Sequence, residues 1–487
     1  MTKSFSDISL KRTSNQNYEI HLRSFSFLNY YILPKKGGSE NMTSLSVKNF
    51  LDASKFNRFH TVLLLWGLFT ISFEGYDLVV YGTVVPVLSK EWELSPIQAG
   101  IIGSYGLFGM MFGSIILSLL ADKFGRKPLI IISIIIFSLA TTISGFVDNA
   151  TLFSWCRFLA GIGFGGALPS VISLLTEYIP KSSKNKAITL ALCGNQVGGI
   201  LAPLVGVLFI TSFGWRPVLW FSVIPLFIIP FMLKSLPESP QFLIRKGKLD
   251  DLERTLRKID PDYKKQLIET EQQPEMKTEK IPFIGLFQNK LALPTILFCI
   301  VYFMGLLMIY GLNTWLPKLM ETAGYPLISS LGFAIFLNGG ALLGTIIIGI
   351  LADRRGSKAL ITGLYILGAV CLALLGIKSN IFFLYLLIAI AGVCTMGNQS
   401  LLNAFVSQYY PAHVRSTGVG LANGVGRLGG MVGPTLGGML LSLKAPIGIC
   451  FIAFAAPGIC AALALLLVRK KHDDPTVIQS EAELTLQ

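Results

Sequence analysis

The chain has 487 residues, of which 52% are hydrophobic and 14% charged, whereas a soluble domain carries roughly 25% charged residues. This composition excludes an ordinary soluble protein. The net charge of +14 does not indicate a nucleic-acid partner, because 34 of the 41 Lys and Arg lie in the two tails and in the loops on the same side as the tails. That positive-inside bias predicts a multi-pass protein of the cell (cytoplasmic) membrane with both termini in the cytoplasm.

Twelve apolar runs follow a polar, basic N-terminal tail, in which Met42 opens a short predicted helix and is an alternative start of translation. Each run is long enough to cross a bilayer core of roughly 30 Å as a helix, and none alternates like a membrane β-strand. The runs lie near 61–88, 98–121, 128–147, 150–174, 187–212, 217–234, 292–316, 327–351, 359–377, 381–406, 416–443 and 446–468. We therefore predict an all-α membrane protein with twelve transmembrane helices.

The spans group six and six around the longest connection, a charged segment with helical periodicity. The predicted domains are a cytoplasmic N-terminal tail at 1–60, an N-terminal six-helix bundle at 61–234, a cytoplasmic linker at 235–290, a C-terminal six-helix bundle at 291–468 and a cytoplasmic C-terminal tail at 469–487. Because each half has an even number of spans, equivalent loops of the two halves face the same side.

The two halves share one ungapped register, since a shift of 231 residues carries prolines onto prolines and an Asp onto an Asp. The pairs are Pro86 with Pro317, Pro180 with Pro411, Pro203 with Pro434, and Asp122 with Asp353. A duplicated set of membrane helices is typical of secondary transporters, whose half-bundles rock about a central site. The repeat predicts two parallel, pseudo-symmetric bundles and transport by alternating access.

Two loops in this register carry a charged motif, SLLADKFGRKP after the second span and GILADRRGSKA after the eighth. Each places an acid at a helix end, followed by basic residues and a Gly that allows a tight turn. We predict ion pairs between helices that hold the cytoplasmic side shut in one state; the alternative is that the basic residues only enforce topology. The candidate gate residues are Asp122, Lys123, Arg126, Lys127, Asp353, Arg354 and Lys358.

Both loops resemble the signature loop of the major facilitator superfamily, G-x-L-A-D-[RK]-x-G-[RK]-[RK]. The segments GYDLVVYGTVVP, RFLAGIGFGGALPS, YFMGLLMIYGLNTWLPKLM and GVGRLGG, in spans 1, 4, 7 and 11, are similar to the aromatic acid:proton symporter family. That family often shows D-G-x-D in span 1, where this chain has Glu74, Gly75, Tyr76 and Asp77. The resemblance covers about residues 42–470 and implies the major facilitator fold, with import of benzoate, hydroxybenzoate or a similar acid together with protons.

Two acids in the middle of span 1 are the candidate proton-coupling residues, Glu74 and Asp77. A charge at a helix centre costs on the order of 2.5–3.5 kcal/mol on insertion scales, so an acid at this position indicates a functional role. At a spacing of i, i+3 the two share a face and disfavour double ionisation, so that one can take up and release a proton. Tyr81, four residues further on, is a candidate hydrogen-bond partner of Asp77. The alternative is a static pairing that only orients helices.

Two arginines within spans are candidate anchors for an anionic substrate. Arg427 lies among glycines in span 11, and its planar guanidinium matches a carboxylate. The alternative is an intramolecular pair with Asp77 or Glu74. Arg157 lies near one end of span 4, so its alternative is snorkelling to the membrane surface.

An aromatic ring needs flat walls and a few polar contacts, and rings and amides in spans 7, 8, 10 and 11 offer both. The further candidate substrate residues, besides Arg427, Arg157 and Tyr81, are Tyr302, Tyr310, Asn313, Trp315, Asn338, Asn398, Gln399 and Asn423. Individually, rings in membrane spans more often serve packing or interface belts.

The sequence thus predicts proton-coupled import of a small aromatic carboxylate by a monomer in the lipid bilayer. Other import substrates, such as nicotinate, a sugar or an aliphatic acid, stay open, as do a drug-efflux antiporter and a nutrient receptor that signals without transport. We expect no cofactor beyond protons as the coupling ion, no metal and no enzymatic activity, because the chain has only four His, no C-x-x-C pair and no nucleophile motif.

Overall fold

A computed structural model describes most of both predicted bundles. The described residues are 44–261, 263, 286–287, 291–355, 357–377, 379–411 and 414–468, with the side chains of 44–46, 349–350 and 352–355 left out. Residues 1–43 and 469–487, which fall in the two predicted tails, and most of the predicted linker beyond 263 lie outside these ranges. The alternative start at Met42 and the domain boundaries therefore stay predictions.

The regular elements of the described chain are helical. They are α1 (Ser44–Ala53), α2 (Arg58–Glu91), α3 (Pro96–Phe124), α4 (Arg126–Ser144), α5 (Ala150–Tyr178), α6 (Lys184–Phe213), α7 (Arg216–Trp220), a 3₁₀ turn (Phe221–Val223), α8 (Ile224–Ser235), α9 (Pro240–Arg245), α10 (Leu249–Ile259), α11 (Ala292–Thr322), α12 (Leu327–Arg355), α13 (Ser357–Leu374), α14 (Ile381–Gly392), a π-helical turn (Val393–Gly397), α15 (Asn398–Tyr409), α16 (Arg415–Ser442) and α17 (Ile447–Leu467). A backbone in lipid has no water to bond, so helices that satisfy their own hydrogen bonds are the expected solution.

Eleven of the twelve predicted spans are long and apolar enough, by length and composition, to cross a membrane, with α7 and α8 forming one span and α14 and α15 another. The remaining predicted span, the eleventh along the chain, is α16, a helix of 28 residues with Arg427 near its middle. Its many glycines lower its hydropathy, because glycine has no side chain to contribute apolar surface. It nevertheless packs closely along α11 and α3, and the predicted all-α, two-bundle fold is confirmed.

Helix boundaries follow the internal repeat closely. The shift of 231 residues carries Pro96–Phe124 onto Leu327–Arg355, and Ala150–Tyr178 onto Ile381–Tyr409, without a change in length. The two halves differ where the π-helical turn interrupts one span and where the 3₁₀ turn interrupts another. The repeat therefore extends from the sequence to the architecture, with local departures in single helices.

The turn between α3 and α4 is made by Gly125, whose φ of +102° lies in a region that side chains rarely adopt. A Cβ at this position would also lie 2.5 Å from Oε2 of Glu238, which reaches back from the segment after α8. Glu238 Oε1 accepts hydrogen bonds from the backbone N–H groups of Arg126 and Lys127, at 2.7 and 3.2 Å. A carboxylate thus caps the N-terminus of α4, where the helix dipole favours negative charge.

The two bundles meet in the half of the molecule away from the chain termini. Gly82 of α2 packs on α11 so closely that a Cβ would lie 2.0 Å from the carbonyl oxygen of Asn313. Towards the ends of the same helices, Lys90 forms an ion pair with Glu321. Residues 82 and 313, like 90 and 321, are related by the 231-residue shift, so the pseudo-twofold axis passes between α2 and α11 at these pairs.

Flanking contacts complete this interface. The hydroxyl of Ser104 in α3 donates to the carbonyl oxygen of Met431 in α16 at 2.6 Å, and Gly199 of α6 lies against Asn338 of α12. In the described chain, the hydrogen bonds and ion pairs that join the two bundles all lie in this half. The bundles are therefore held together away from the termini.

Candidate functional site

Two acids occupy the middle of α2 and are almost completely buried, with 1% of Glu74 and none of Asp77 exposed. Gly75 between them lets α2 lie against α6, because a Cβ there would be 2.1 Å from the carbonyl oxygen of Asn195. With α2 fixed in this way, the two carboxylates leave the helix towards different neighbours.

Asp77 faces the interior of its own bundle. Its Oδ1 accepts a hydrogen bond from the hydroxyl of Ser222 at 2.9 Å, Thr141 lies nearby, and the charge acting on it is that of Arg157. Its Oδ2 is buried without a hydrogen-bond partner in the described chain. Asp77 is thus surrounded by α4, α5 and the span of α7 and α8, not by the second bundle.

Arg157 does not snorkel, since only 3% of it is exposed. Its Nη2 donates to the backbone carbonyl of Asp77 at 2.9 Å, and its guanidinium lies 5.8 Å from the centre of the Tyr81 ring. Its Nε and Nη1 are buried without partners in the described chain. Arg157 is therefore a buried cation held close to Asp77.

The predicted hydrogen bond between Tyr81 and Asp77 is wrong. The Tyr81 hydroxyl donates to the carbonyl oxygen of Ala99 at 2.5 Å. Because residues four apart on a helix differ in direction by about 40°, the ring reaches α3 while the carboxylate contacts Ser222 in the 3₁₀ turn. Tyr81 contributes its ring face to Arg157 instead.

Glu74 faces the other bundle. The charge acting on it comes from Arg427 of α16, and both groups also act on Tyr310 of α11. Oε2 of Glu74 is buried without a hydrogen-bond partner in the described chain. An acid of the first bundle and a cation of the second thus approach each other across the interface.

Arg427 is half-buried, and in the part of the chain that the structure describes it forms no hydrogen bond and no ion pair within 4.0 Å. A Cβ placed on Gly424 or Gly420, about one and two turns earlier in α16, would meet no atom within 4 Å. The guanidinium therefore has all its donors available and open space beside it, whereas Arg157 is enclosed.

The expectation of one coupled acidic pair facing a lone guanidinium is not what the side chains form. Residues three apart on a helix differ in direction by about 60°, and here that angle separates two environments. Glu74 belongs with Arg427 across the interface, and Asp77 belongs with Arg157 inside the first bundle. We call these two combinations the acid–arginine pairs, although their charges act on each other without an ion pair within 4.0 Å in the described chain.

Of the predicted ring-binding residues, the structure brings Tyr310, Asn313 and Asn338 to the interface. Tyr310 lies beside Arg427 and Glu74. The Asn338 amide donates to Oδ1 of Asn313 at 3.4 Å, next to Gly199 of the first bundle. These groups line the same face of the second bundle.

Other predicted substrate residues use their polar atoms within the second bundle. These contacts are Tyr302 hydroxyl to Asn403 Oδ1 at 2.5 Å, Trp315 Nε1 to the Pro434 carbonyl at 2.6 Å, Asn398 Nδ2 to the Ile361 carbonyl at 3.2 Å, and Asn423 Nδ2 to the Val419 carbonyl at 3.2 Å. The oxygens Asn398 Oδ1 and Gln399 Oε1 are buried without a partner in the described chain, the second of them near Gly305 and the Tyr365 hydroxyl. Tyr302, Trp315 and Asn398 therefore join helices of the second bundle, whereas the bond of Asn423 stays within α16.

The candidate gate residues of the first bundle make contacts inside that bundle. Arg126 forms an ion pair with Glu177 of α5, and Lys127 Nζ donates to the Leu233 carbonyl at 2.6 Å. The Asp122 carbonyl accepts from Arg245, and Lys123 lies 5.5 Å from the Phe124 ring centre.

In the second bundle, Lys358 Nζ donates to the carbonyl oxygens of Leu466 and Val468, at 3.1 and 2.5 Å. Those bonds satisfy the C-terminal end of α17. The side chains of Asp353 and Arg354 lie outside the described residues.

Sequence reasoning missed three acids that organise the charged network. Glu177 and Glu238 hold the start of α4, and Glu321 joins the bundles through Lys90. A signal for the last pair was present, because Lys90 and Glu321 have opposite charge and occupy equivalent positions in the repeat. Residues on a pseudo-twofold axis meet their own equivalents.

Two helical bundles that enclose buried acids and arginines at and beside their interface define a membrane protein of the two-bundle transporter class. The family profile of the Major Facilitator Superfamily matches residues 67–434 and 327–486, and the chain belongs to this superfamily.

Similar proteins also confirm the resemblance to the family of aromatic acid transporters. The chain is 40% identical to the benzoate transport protein of Acinetobacter baylyi over 438 residues, covering 88% of this chain and 93% of that protein. It is 33% identical to the gentisate transporter of Corynebacterium glutamicum, covering 89% and 94%. It is 31% identical to the 4-hydroxybenzoate transporter PcaK of Acinetobacter baylyi, covering 87% and 94%.

Solved structures share the fold at low sequence identity. The partially occluded inward-open form of the xylose transporter XylE from Escherichia coli has a TM-score of 0.65 and 19% identity, and the match covers 86% of this chain and 100% of the XylE chain. An inward-facing bacterial homologue of the lysosomal transporter Spinster has a TM-score of 0.63 and 19% identity, covering 85% and 95%.

Proposed function

We propose that the protein imports a small aromatic carboxylate together with protons across the cytoplasmic membrane by alternating access. The observation that carries the proposal is the unpaired guanidinium of Arg427, which lies at the bundle interface beside Glu74 and Tyr310. The similarity to transporters named for benzoate, gentisate and 4-hydroxybenzoate supports the substrate class.

In this mechanism Arg427 binds the carboxylate of the substrate, because a guanidinium donates two parallel hydrogen bonds to a carboxylate. The Tyr310 ring lies beside it and offers an aromatic face to the substrate ring. An ionised Glu74 competes with the substrate for Arg427. Protonation of Glu74 removes that competition, so substrate and proton bind together.

One proton carried with one monoanion moves no net charge. A pH gradient then drives uptake with about 1.4 kcal/mol per pH unit. A second proton, bound by Asp77, would add the membrane potential, about 2.3 kcal/mol per 100 mV. The stoichiometry therefore decides whether uptake responds to voltage.

The conformation fits the cytoplasmic-open half of the transport cycle. The bundles are joined away from the termini, and we place the termini in the cytoplasm from the positive-inside bias. The gate residues contact their own bundles here. We infer that they exchange these contacts for contacts between bundles when the cytoplasmic side closes.

The test is uptake of radiolabelled benzoate into proteoliposomes with an imposed pH gradient, with and without an uncoupler. We expect accumulation that the uncoupler abolishes, and competition by 4-hydroxybenzoate stronger than by xylose or acetate. Competition by nicotinate as strong as by any benzoate would move the substrate to a pyridine carboxylate. Absence of uptake of every carboxylate under both conditions would refute the proposal.

A further inference from the structure

A cleft of about 590 Å³ lies at the terminus-bearing end of the first bundle, between the start of α4, the end of α8 and the surface helices α9 and α10. It is separate from the acid–arginine pairs in the middle of the membrane span. Its walls carry five basic side chains and two acidic ones. The basic side chains are Lys127, Lys234, Lys248, Arg254 and Lys258, and the acidic ones are Glu238 and Asp251.

Both acids of this basic cleft are already engaged. Glu238 caps the backbone N–H groups at the start of α4, and Asp251 lies 3.5 Å from Arg254 on the next turn of α10. Glu238 also acts on the charge of Lys127, but neither acid forms an ion pair with Lys234, Lys248 or Lys258 in the described chain.

Three lysines of the basic cleft are left uncompensated. Lys234, Lys248 and Lys258 form no ion pair or side-chain hydrogen bond in the described chain, and Lys258 repels Lys127 from the opposite wall. Like charges around one cleft raise its free energy unless an anion enters. The arrangement favours a multiply hydrogen-bonding anion such as a phosphate group.

The position of the basic cleft indicates where that anion comes from. Phe124 and Leu233, which end α3 and precede the end of α8, are 55% and 50% exposed, as expected for side chains that contact lipid tails. Lys234 follows Leu233 directly at the end of α8, and Lys127 lies three residues after Phe124, at the start of α4. The cleft therefore opens where lipid tails meet headgroups, and basic pockets at this level attract anionic lipids.

We propose that the basic cleft binds a phosphate group, supplied by the headgroup of an anionic phospholipid such as phosphatidylglycerol. The bound headgroup bridges α4, α8 and α10 and holds the surface helices of the linker against the first bundle. The site is independent of substrate recognition, because its lysines do not belong to either acid–arginine pair.

The experiment uses the full chain in nanodiscs of phosphatidylcholine with increasing phosphatidylglycerol content, and measures the bound lipid by native mass spectrometry and the midpoint of thermal unfolding. The test variant is Lys234→Gln/Lys248→Gln/Lys258→Gln. We expect its apparent affinity for phosphatidylglycerol to fall by roughly 100-fold, since each lysine near an anionic headgroup contributes about a factor of five.

The matched control is Lys48→Gln/Lys55→Gln/Lys186→Gln, which removes the same charge from exposed lysines on the same side of the protein. An equal loss in both variants would overturn the proposal, because it would reduce the effect to net charge. A separate arm adds inorganic phosphate to pure phosphatidylcholine nanodiscs. Stabilisation there, lost in the test variant, would keep the phosphate site but overturn its lipid source; no response to either anion would overturn both.

Discussion

At the scale of single residues, the separation of Glu74 from Asp77 divides two tasks that a coupled acidic pair would share. Glu74 faces a cation of the other bundle, whereas Asp77 faces one of its own. Only the first pair changes its surroundings when the bundles move apart. In the proposed mechanism, Glu74 couples the proton to the substrate, whereas Asp77 and Arg157 contribute to the integrity of the first bundle and to the binding of any second proton.

Replacing Glu74 by Gln fixes that position in the uncharged state. We expect Glu74→Gln to lose accumulation against a gradient while it keeps exchange of labelled for unlabelled substrate, because Arg427 stays free but no proton is released. The measurement compares gradient-driven uptake with counterflow in the same proteoliposomes. Loss of both activities in a correctly folded variant would argue that Glu74 contacts the substrate itself.

Replacing Asp77 by Asn leaves the buried guanidinium of Arg157 without its counter-charge. We expect Asp77→Asn to remove any voltage dependence that a second proton gives to uptake, and to lower the free energy of unfolding by roughly 1–3 kcal/mol, because the buried Arg157 loses an opposite charge that acts on it. The double variant Asp77→Asn/Arg157→Gln removes both charges and should recover much of that stability. Equal destabilisation in the single and double variants would show that the two charges do not interact.

At the scale of the helix, the sequence alone predicted the positions of the membrane spans and the register of the internal repeat. Lengths and apolar runs predicted all twelve helices, and the 231-residue shift anticipated helix ends that coincide in the two halves. These features depend on local composition, which the chain carries by itself. The glycine-rich α16 was also among the predicted apolar runs, at 416–443.

The direction of single side chains could not be read in the same way. Periodicity places Tyr81 and Asp77 on one broad face of α2, but the neighbours that decide between Ala99 and Ser222 come from other helices. The gate residues likewise bond to α5 and to the segment after α8, and the sequence motifs do not predict these contacts. Tertiary partners, not local pattern, decide those contacts.

The crossing of α2 and α11 gives a prediction at this scale. A Cβ on Gly82 would lie 2.0 Å from the carbonyl oxygen of Asn313, far inside contact distance, so Gly82→Ala must push the two helices apart. We expect the outer side to open more often, with faster labelling of cysteines introduced near that end. Gly339→Ala is the control, since its Cβ would meet nothing within 4 Å, and equal labelling of both variants would contradict the tight crossing.

At the scale of the whole molecule, one pair of equivalent residues lies close to the pseudo-twofold axis, and its two members contact each other across the two halves. Lys90 and Glu321 are equivalent in the repeat, yet carry opposite charges and join the ends of α2 and α11 that we propose to face outward. A symmetric pair of like charges at this place would repel. The difference between the halves thus stabilises the contact between the two bundles at this end.

Because Lys90 is 67% exposed and Glu321 16%, water screens this ion pair, and such pairs contribute roughly 0.2–1 kcal/mol. We expect Lys90→Gln and Glu321→Gln each to raise the fraction of outward-open molecules up to about fivefold, as measured by distances between spin labels on the outer ends of the bundles. Lys318 also lies 3.0 Å from Glu321, so Glu321→Gln releases a second charge and Lys90→Gln is the cleaner variant.

If the ion pair holds this end closed, the double variant should open no further than the single variant with the larger effect. Molar salt should reproduce that opening in the unmodified protein, because the screening length falls to about 3 Å. Additive effects of the two substitutions, unchanged by salt, would mean that the outer side is closed by the glycine-mediated helix contacts alone.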